Sequence, residues 1–241
     1  MKVKIFGIKF ENVEKDKLFN PLNFKGLLTF PAAPALVNIF KDKKYYLSLK
    51  NSNYVFFDSG YLCLILRIFK NIHANKFSGL LFLRRLLQNL KNSNFKILLI
   101  DPNQKSSKKN KKYLKKKKIQ NSYSYIAPVY GDDFDDKILL QKIKKINPKF
   151  IIINLGGGVQ EKLGLYIKNH TKKNTTIICT GAAIAFLTGD QAKIPHFIDK
   201  LYLGWLFRII FNPRLYFFRY LNSFKLFFMV NNTKVTIYGK K

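Results

Sequence analysis

The chain has 241 residues, of which 47% are hydrophobic and 15% aromatic, so it can bury the core of one large domain and is too apolar to be disordered. Its 44 basic and 13 acidic residues give a formal net charge of +31, which favours polyanions: nucleotide phosphates, anionic lipid headgroups or nucleic acid. Cys63 and Cys179 lie in apolar runs and form no zinc pattern with the three histidines. We therefore expect no metal, cofactor or disulfide, and a cytoplasmic setting.

Apolar runs and helical patterns alternate along most of the chain. Strands are predicted at 3–10, 26–30, 53–58, 96–100, 124–130, 150–155 and 175–180. Helices are predicted between them at 33–41, 60–70, 79–91, 105–119, 135–146 and 160–171. This order predicts an α/β domain over residues 1–193, with a Rossmann-like, mostly parallel sheet and helices on both faces. Charge alternates with apolar residues at the N-terminus, so we expect no signal peptide.

Three candidate site residues fall at the ends of predicted strands, where parallel sheets bind their ligands. Thr29 could hydrogen-bond a substrate or cap the following helix. Asp58 could act as a base or form a turn or helix cap. Gly156 begins a glycine run whose backbone N–H groups could approach an anionic or sugar ligand at a helix N-terminus.

Two charged segments could bind a ligand or a membrane, but each also has a simpler structural interpretation. The lysine-rich run at 105–120 predicts a solvated helix or loop, with contact to an anionic membrane as the alternative. Asp133 and Asp135 form an Asp-x-Asp pair that could hold a metal on a diphosphate, but acidic residues also favour the start of the helix that follows. We favour the second interpretation.

The last part of the chain, 194–241, has a different character and predicts a helical appendage. A helical run at 196–211 is stopped by Asn212 and Pro213, and the next run interleaves aromatic residues with Arg214 and Arg219. Such a segment could lie on a membrane or fold over a ligand. No apolar run reaches the ~20 residues that a membrane-spanning helix needs.

An ordered series of motifs resembles the WecG/TagA/CpsF glycosyltransferases (glycosyltransferase family 26). At the C-terminal end the series is Lys193-Ile194-Pro195, Gly204-Trp205-Leu206-Phe207-Arg208, Asn212-Pro213-Arg214 and Arg219-Tyr220. Upstream, similar motifs stand at 5–10, 54–60, 76–79 and 151–161. Leu81, Gly158 and Gly204 depart from the family pattern.

The resemblance implies an inverting glycosyltransferase of surface polysaccharide synthesis, peripheral at the inner face of the cell membrane. It would move an N-acetylhexosamine-type sugar from a UDP-sugar to a polyprenyl-diphosphate-linked acceptor without a metal ion. Asp58 would be the base, and the pocket residues and diphosphate contacts would be Thr29, Gly156, Gln160, Glu161, Arg208, Arg214 and Arg219. The alternatives are a basic nucleic-acid-binding protein and a family member that has lost activity.

Overall fold

The computed structural model describes residues 1–13, 20–131, 134–171, 174–189, 206, 209–210 and 213–239. The strands are β1 (Lys2–Ile5), β2 (Ile8–Glu11), β3 (Gly26–Thr29), β4 (Tyr54–Phe56), β5 (Ile97–Asp101), β6 (Ser122–Ile126), β7 (Phe150–Ile153), β8 (Thr176–Cys179) and β9 (Thr236–Tyr238). The helices are α1 (Ala33–Leu36), α2 (Lys43–Lys50), α3 (Gly60–Lys70), α4 (Gly79–Asn89), α5 (Gln104–Lys116), α6 (Lys137–Ile146), α7 (Val159–His170), α8 (Ala183–Thr188), α9 (Pro213–Ser223) and α10 (Lys225–Asn231).

The strands form one sheet in the order β6-β5-β7-β8-β3-β4-β2-β1-β9. Every pair from β6 to β2 is parallel, whereas β1 is antiparallel to both β2 and β9. The predicted mostly parallel α/β fold is therefore confirmed. β8 and β3 join two halves of the sheet, β5 to β8 and β2 to β4, and open sheets of this kind bind ligands where such halves meet.

Helices cover both faces of the sheet, as alternate residues of β4 show. Val55 belongs to an apolar cluster with α2, α3 and α10, while Phe56 belongs to a second cluster with α4, α5 and α8. A third cluster packs α6 and α7 against β5, β7 and β8. Because neighbouring strand residues point to opposite faces, α5 and α10 lie on opposite sides of the sheet.

The predicted first strand, 3–10, is a hairpin of two short strands in the structure. Phe6 and Gly7 form its turn with φ angles of 55° and 77°. A positive φ is rare for a bulky residue, which is why the apolar pattern predicted one continuous strand. Glycine is favoured at position 7 by this positive φ, and a Cβ there would also lie 2.8 Å from the Tyr46 hydroxyl.

The C-terminal helices are integrated with the sheet. Leu226 and Val230 of α10 are completely buried in the cluster that contains Val55, and β9 pairs with β1 from Lys2↔Tyr238 to Lys4↔Thr236. Within the described ranges, no helix is long and apolar enough to cross a membrane. The predicted helix at 196–211 lies almost entirely outside the described residues.

Candidate active site

Four adjacent strands at the centre of the sheet, β7, β8, β3 and β4, lead into the candidate site. The segments that follow them contain Gly156, Thr180, Phe30 and Asp58, respectively. Parallel strands bring their carboxyl ends to one edge, so the fold gathers these segments. The sequence predicted Asp58 and Gly156 at this edge; it did not single out Thr180, although Thr180 directly follows a buried strand.

Asp58 is half-buried and is held at the start of α4. Its Oδ1 accepts a hydrogen bond from the Gly79 backbone N–H at 2.9 Å. The N-cap of the helix that follows Asp58 is Ser59, so Asp58 does not take that role. A Cβ on Gly79 would lie 3.2 Å from Thr180 and 3.3 Å from Phe30, so α4 begins in tight contact with the ends of β3 and β8.

The turn between β7 and α7 is open toward solvent and made of glycines. Gly156 and Gly157 are exposed, and no atom lies within 4 Å of a Cβ built on Gly156. Gly158 is the N-cap of α7 with φ +90°, a conformation that proline cannot adopt. Gly158, which departs from the family pattern, therefore stands at a position whose φ favours glycine. Exposed N–H groups at a helix N-terminus can bind an anion.

Gln160 and Glu161 lie inside the protein beneath this turn. Glu161 is completely buried; its Oε2 accepts from Gly158 N at 2.6 Å and its Oε1 from Gln160 Nε2 at 3.0 Å. Gln160 Oε1 in turn accepts from Gly181 N at 2.7 Å, which ties the turn to the segment after β8. Both side chains hold the turn's backbone in this structure.

Burial raises the pKa of the Glu161 carboxyl to about 7, and the hydrogen bonds from Gly158 and Gln160 oppose this rise. The negative charge of Asp58 also raises the pKa of Glu161, so the two carboxyl groups interact electrostatically across the site. The Tyr45 hydroxyl of α2 is buried with no hydrogen-bond partner among the described residues, and burial and the charge of Glu161 raise its pKa. Glu161 is thus a buried titratable carboxyl directly behind the turn.

Thr29 ends β3, as the sequence predicted, but its side chain is completely buried. Its single hydroxyl proton is shared between two acceptors, Ser52 Oγ and the Tyr54 carbonyl, each 3.4 Å away. The N-cap of α1 is Ala32, without a side-chain bond, so Thr29 does not cap that helix. Its hydroxyl hydrogen-bonds within the protein in this structure.

The C-terminal arginines divide into two groups. Arg214 and Arg219 are exposed on α9, which packs against α1. α1 in turn adjoins the glycine turn, because a Cβ on Gly157 would lie 3.2 Å from Ala35. α9 is thus connected to the site through one helix. Arg208 lies outside the described residues.

The acidic segment before α6 has a structural role in its described part. Asp136 caps α6 by accepting from Leu139 N at 2.9 Å, and the Tyr125 and Tyr130 hydroxyls donate to the same carboxyl. Asp133 lies outside the described residues. Over the ranges that the structure covers, no group of three or more histidine, cysteine or acidic residues is arranged to hold a metal ion.

The chain is similar to a family of glycosyltransferases along nearly its whole length. The model of a family described as "Glycosyl transferase WecG/TagA/CpsF family" matches residues 3–239. The chain is similar to the N-acetylglucosaminyldiphosphoundecaprenol N-acetyl-beta-D-mannosaminyltransferase of Bacillus subtilis (strain 168), with 24% identity over 72% of this chain and 66% of the relative. A Staphylococcus aureus (strain NCTC 8325 / PS 47) protein of the same name is 22% identical over 87% of this chain and 84% of the relative.

Proposed function

This chain belongs to the WecG/TagA/CpsF glycosyltransferase family, and we propose that it transfers an N-acetylhexosamine-type sugar from a UDP-sugar to a polyprenyl-diphosphate-linked acceptor. The names of the relatives, which pair an N-acetylmannosaminyl group with a diphosphoundecaprenol acceptor, support this choice of substrates. The product would enter cell-envelope polysaccharide synthesis.

One observation carries the proposal: Asp58 and the glycine turn share the carboxyl edge of the central strands. Asp58 would take the proton of the acceptor hydroxyl as its oxygen attacks the anomeric carbon. The bond from that carbon to the diphosphate oxygen would break as the new bond forms on the opposite face, so the configuration inverts. The bond from Gly79 N orients the Asp58 carboxylate for this step.

The departing UDP would carry the negative charge that develops in this step. The exposed N–H groups at Gly156 and Gly157 and the cationic side chains of Arg208, Arg214 and Arg219 would stabilise it. Such groups act without a metal ion. Thr29, Gln160 and Glu161 would support the pocket from beneath rather than contact the sugar, because all three are buried.

We further propose that α9, α10 and the end of α3 rest on the inner membrane surface, where the lipid acceptor lies. These helices expose seven large apolar side chains: Ile68, Phe69, Phe217, Phe218, Leu221, Phe224 and Phe228. Arg214, Arg219 and Lys225 lie among them, and aromatic residues mixed with cations suit an anionic interface. The lysine-rich α5 covers the opposite face of the sheet, so one flat membrane would not reach both surfaces.

The test is a donor screen with a synthetic polyprenyl-diphosphate-linked N-acetylglucosamine acceptor, in which UDP release is measured. We expect one UDP-sugar to release UDP only when the acceptor is present. Asp58→Asn should lower the rate about 100-fold or more, since general bases typically contribute that much. UDP release that is equal with and without acceptor, or turnover of the variant within about threefold of the parent, would contradict the assignment.

Nucleic-acid binding is the second candidate, because the nine lysines of 105–118 are all exposed on or just after α5. A salt-titrated binding assay with RNA, DNA and anionic liposomes separates the candidates. Liposome binding that depends on Phe218 and Phe228 supports membrane association. Binding to RNA or DNA that depends on the α5 lysines, with none to liposomes, supports the second candidate.

A further inference from the structure

Asp101 joins three elements beneath the glycine turn. It is the last residue of β5 and completely buried. Its Oδ1 accepts from Asn154 Nδ2 at 2.8 Å and from Asn110 Nδ2 of α5 at 2.7 Å. Asn154 directly follows β7, and its backbone N–H bonds to Ile100 O at 2.9 Å. The Asp101 carboxyl therefore fixes the point where β7 leaves the sheet.

Two oxygen atoms of this cluster lack a donor. Asp101 Oδ2 and Asn154 Oδ1 are both buried, and neither has a hydrogen-bond partner in the described part of the chain. They belong to the two side chains that the bond from Asn154 Nδ2 already joins. Buried acceptors without donors are strongly unfavourable, and a charged carboxylate makes the mismatch worse. One proton placed between these two oxygens would satisfy both.

We propose that Asp101 is an uncharged carboxylic acid whose Oδ2–H donates to Asn154 Oδ1, closing a ring of two hydrogen bonds between the side chains. In this ring Asn154 Nδ2 donates to Asp101 Oδ1. Asn154 Oδ1 accepts the hydrogen bond from the protonated Oδ2 of Asp101. A carboxylic acid has the one donor that the cluster needs.

The surroundings of the carboxyl agree with this assignment. Burial raises the pKa of Asp101, and the neutral amides of Asn154 and Asn110 together with the Ser107 hydroxyl only partly oppose this rise. The groups that hydrogen-bond the carboxyl from α5 and from the end of β7 are all neutral. Because no cation takes part in these hydrogen bonds, they do not require the Asp101 carboxyl to be negatively charged.

The ring makes Asp101 a positioning residue for the β7–α7 turn. Asn154 leads through Leu155 into Gly156, so fixing its side chain fixes the start of the turn. An uncharged Asp101 also places no negative charge beneath a backbone that would face a diphosphate, a point that rests on the proposed function. The sequence pattern did not single out Asp101.

Asp101→Asn tests the ring, since an asparagine amide accepts on Oδ1 and donates from Nδ2 as the acid does. We expect its melting temperature to stay within about 2 °C of the parent at pH 7, and Asp101→Leu to lower it by more than about 4 °C. The UDP affinity should fall in the leucine variant and be retained in the asparagine variant. An asparagine variant that melts as low as the leucine variant would overturn the proposal.

Infrared spectroscopy reads the proton directly in the folded parent protein with isotope-labelled aspartate. At pH 7, the difference between parent and Asp101→Asn should show the loss of a protonated carboxylic-acid band. Asp42→Asn is the matched control, because Asp42 pairs with Lys162 at 2.9 Å and should show the loss of a carboxylate. Loss of a carboxylate for Asp101, as expected if a water bridged the two oxygens, would overturn the assignment. Neither the infrared nor the melting experiment uses a substrate, so the outcome is independent of transferase activity.

Discussion

The buried carboxyl of Glu161 should make the stability of the protein depend on pH in a direction that can be calculated. Its pKa is about 7 in the folded protein, against an ordinary value of 4.5. Between these pH values the folded protein binds the proton more tightly than the unfolded chain does. The free energy of unfolding should therefore fall as the pH rises from about 4.5 to about 7, by about 3 kcal/mol from this group.

Glu161→Gln and Glu161→Leu remove the titrating group and should both lose this dependence. The two variants differ in the acceptors they keep: the glutamine side chain has one acceptor oxygen for Gly158 N or Gln160 Nε2, and the leucine side chain has none. The Glu161→Leu variant should therefore have the lower free energy of unfolding at every pH. The assay is urea unfolding of the three proteins at half-unit steps from pH 4.5 to 8. Subtracting the free energy of unfolding of each variant from that of the parent at the same pH removes the contribution of the other carboxyl groups. Parallel curves for parent and variants would refute the buried-charge argument.

Three further predictions concern the same edge of the sheet. Asp58→Ala should lose transfer as Asp58→Asn does and in addition lose about 1–3 kcal/mol of stability, because Gly79 N–H loses its acceptor; equal melting of the two variants would contradict this. Gly156→Ala should keep the parental melting temperature and weaken UDP binding measured by calorimetry. Gly164→Ala is its control and should destabilise by about 1–3 kcal/mol, because its Cβ would lie 2.7 Å from Leu27. Transfer should persist in excess EDTA, and complete loss restored by Mn²⁺ would show that a metal ion offsets the diphosphate.

The positions of strand ends could be predicted from the sequence, whereas side-chain directions at those ends could not. Apolar runs followed by Thr29, Asp58 and Gly156 placed all three at the correct edge, because parallel strands share one direction. The pattern could not show that the Thr29 hydroxyl turns toward Ser52 or that Glu161 is interior. Both facts depend on packing between distant segments.

Elements defined by long-range contacts were also missed. β9 has three residues and exists as a strand because it pairs with β1, far away in sequence. The helices α2 and α8 lay between clearer signals and were not predicted. The aromatic run after Pro213, expected as part of a helical appendage, is divided at Phe224 into α9 and α10. The division into 1–193 and 194–241 remains a prediction, and contacts between β1 and β9 cross it.

The pairing of β1 with β9 has a consequence during synthesis on the ribosome. β1 is made long before residues 236–238, so this edge of the strand stays unpaired until they emerge. Val3 and Ile5 likewise cannot complete their packing until Leu226 and Val230, which belong to the same buried cluster, have been made. A nascent chain therefore presents an unpaired strand edge and exposed apolar side chains until α10 and β9 are made, which is the kind of surface that chaperones recognise. A chain ending at residue 193 would lack α10 and β9 and would keep this strand edge and these apolar side chains exposed.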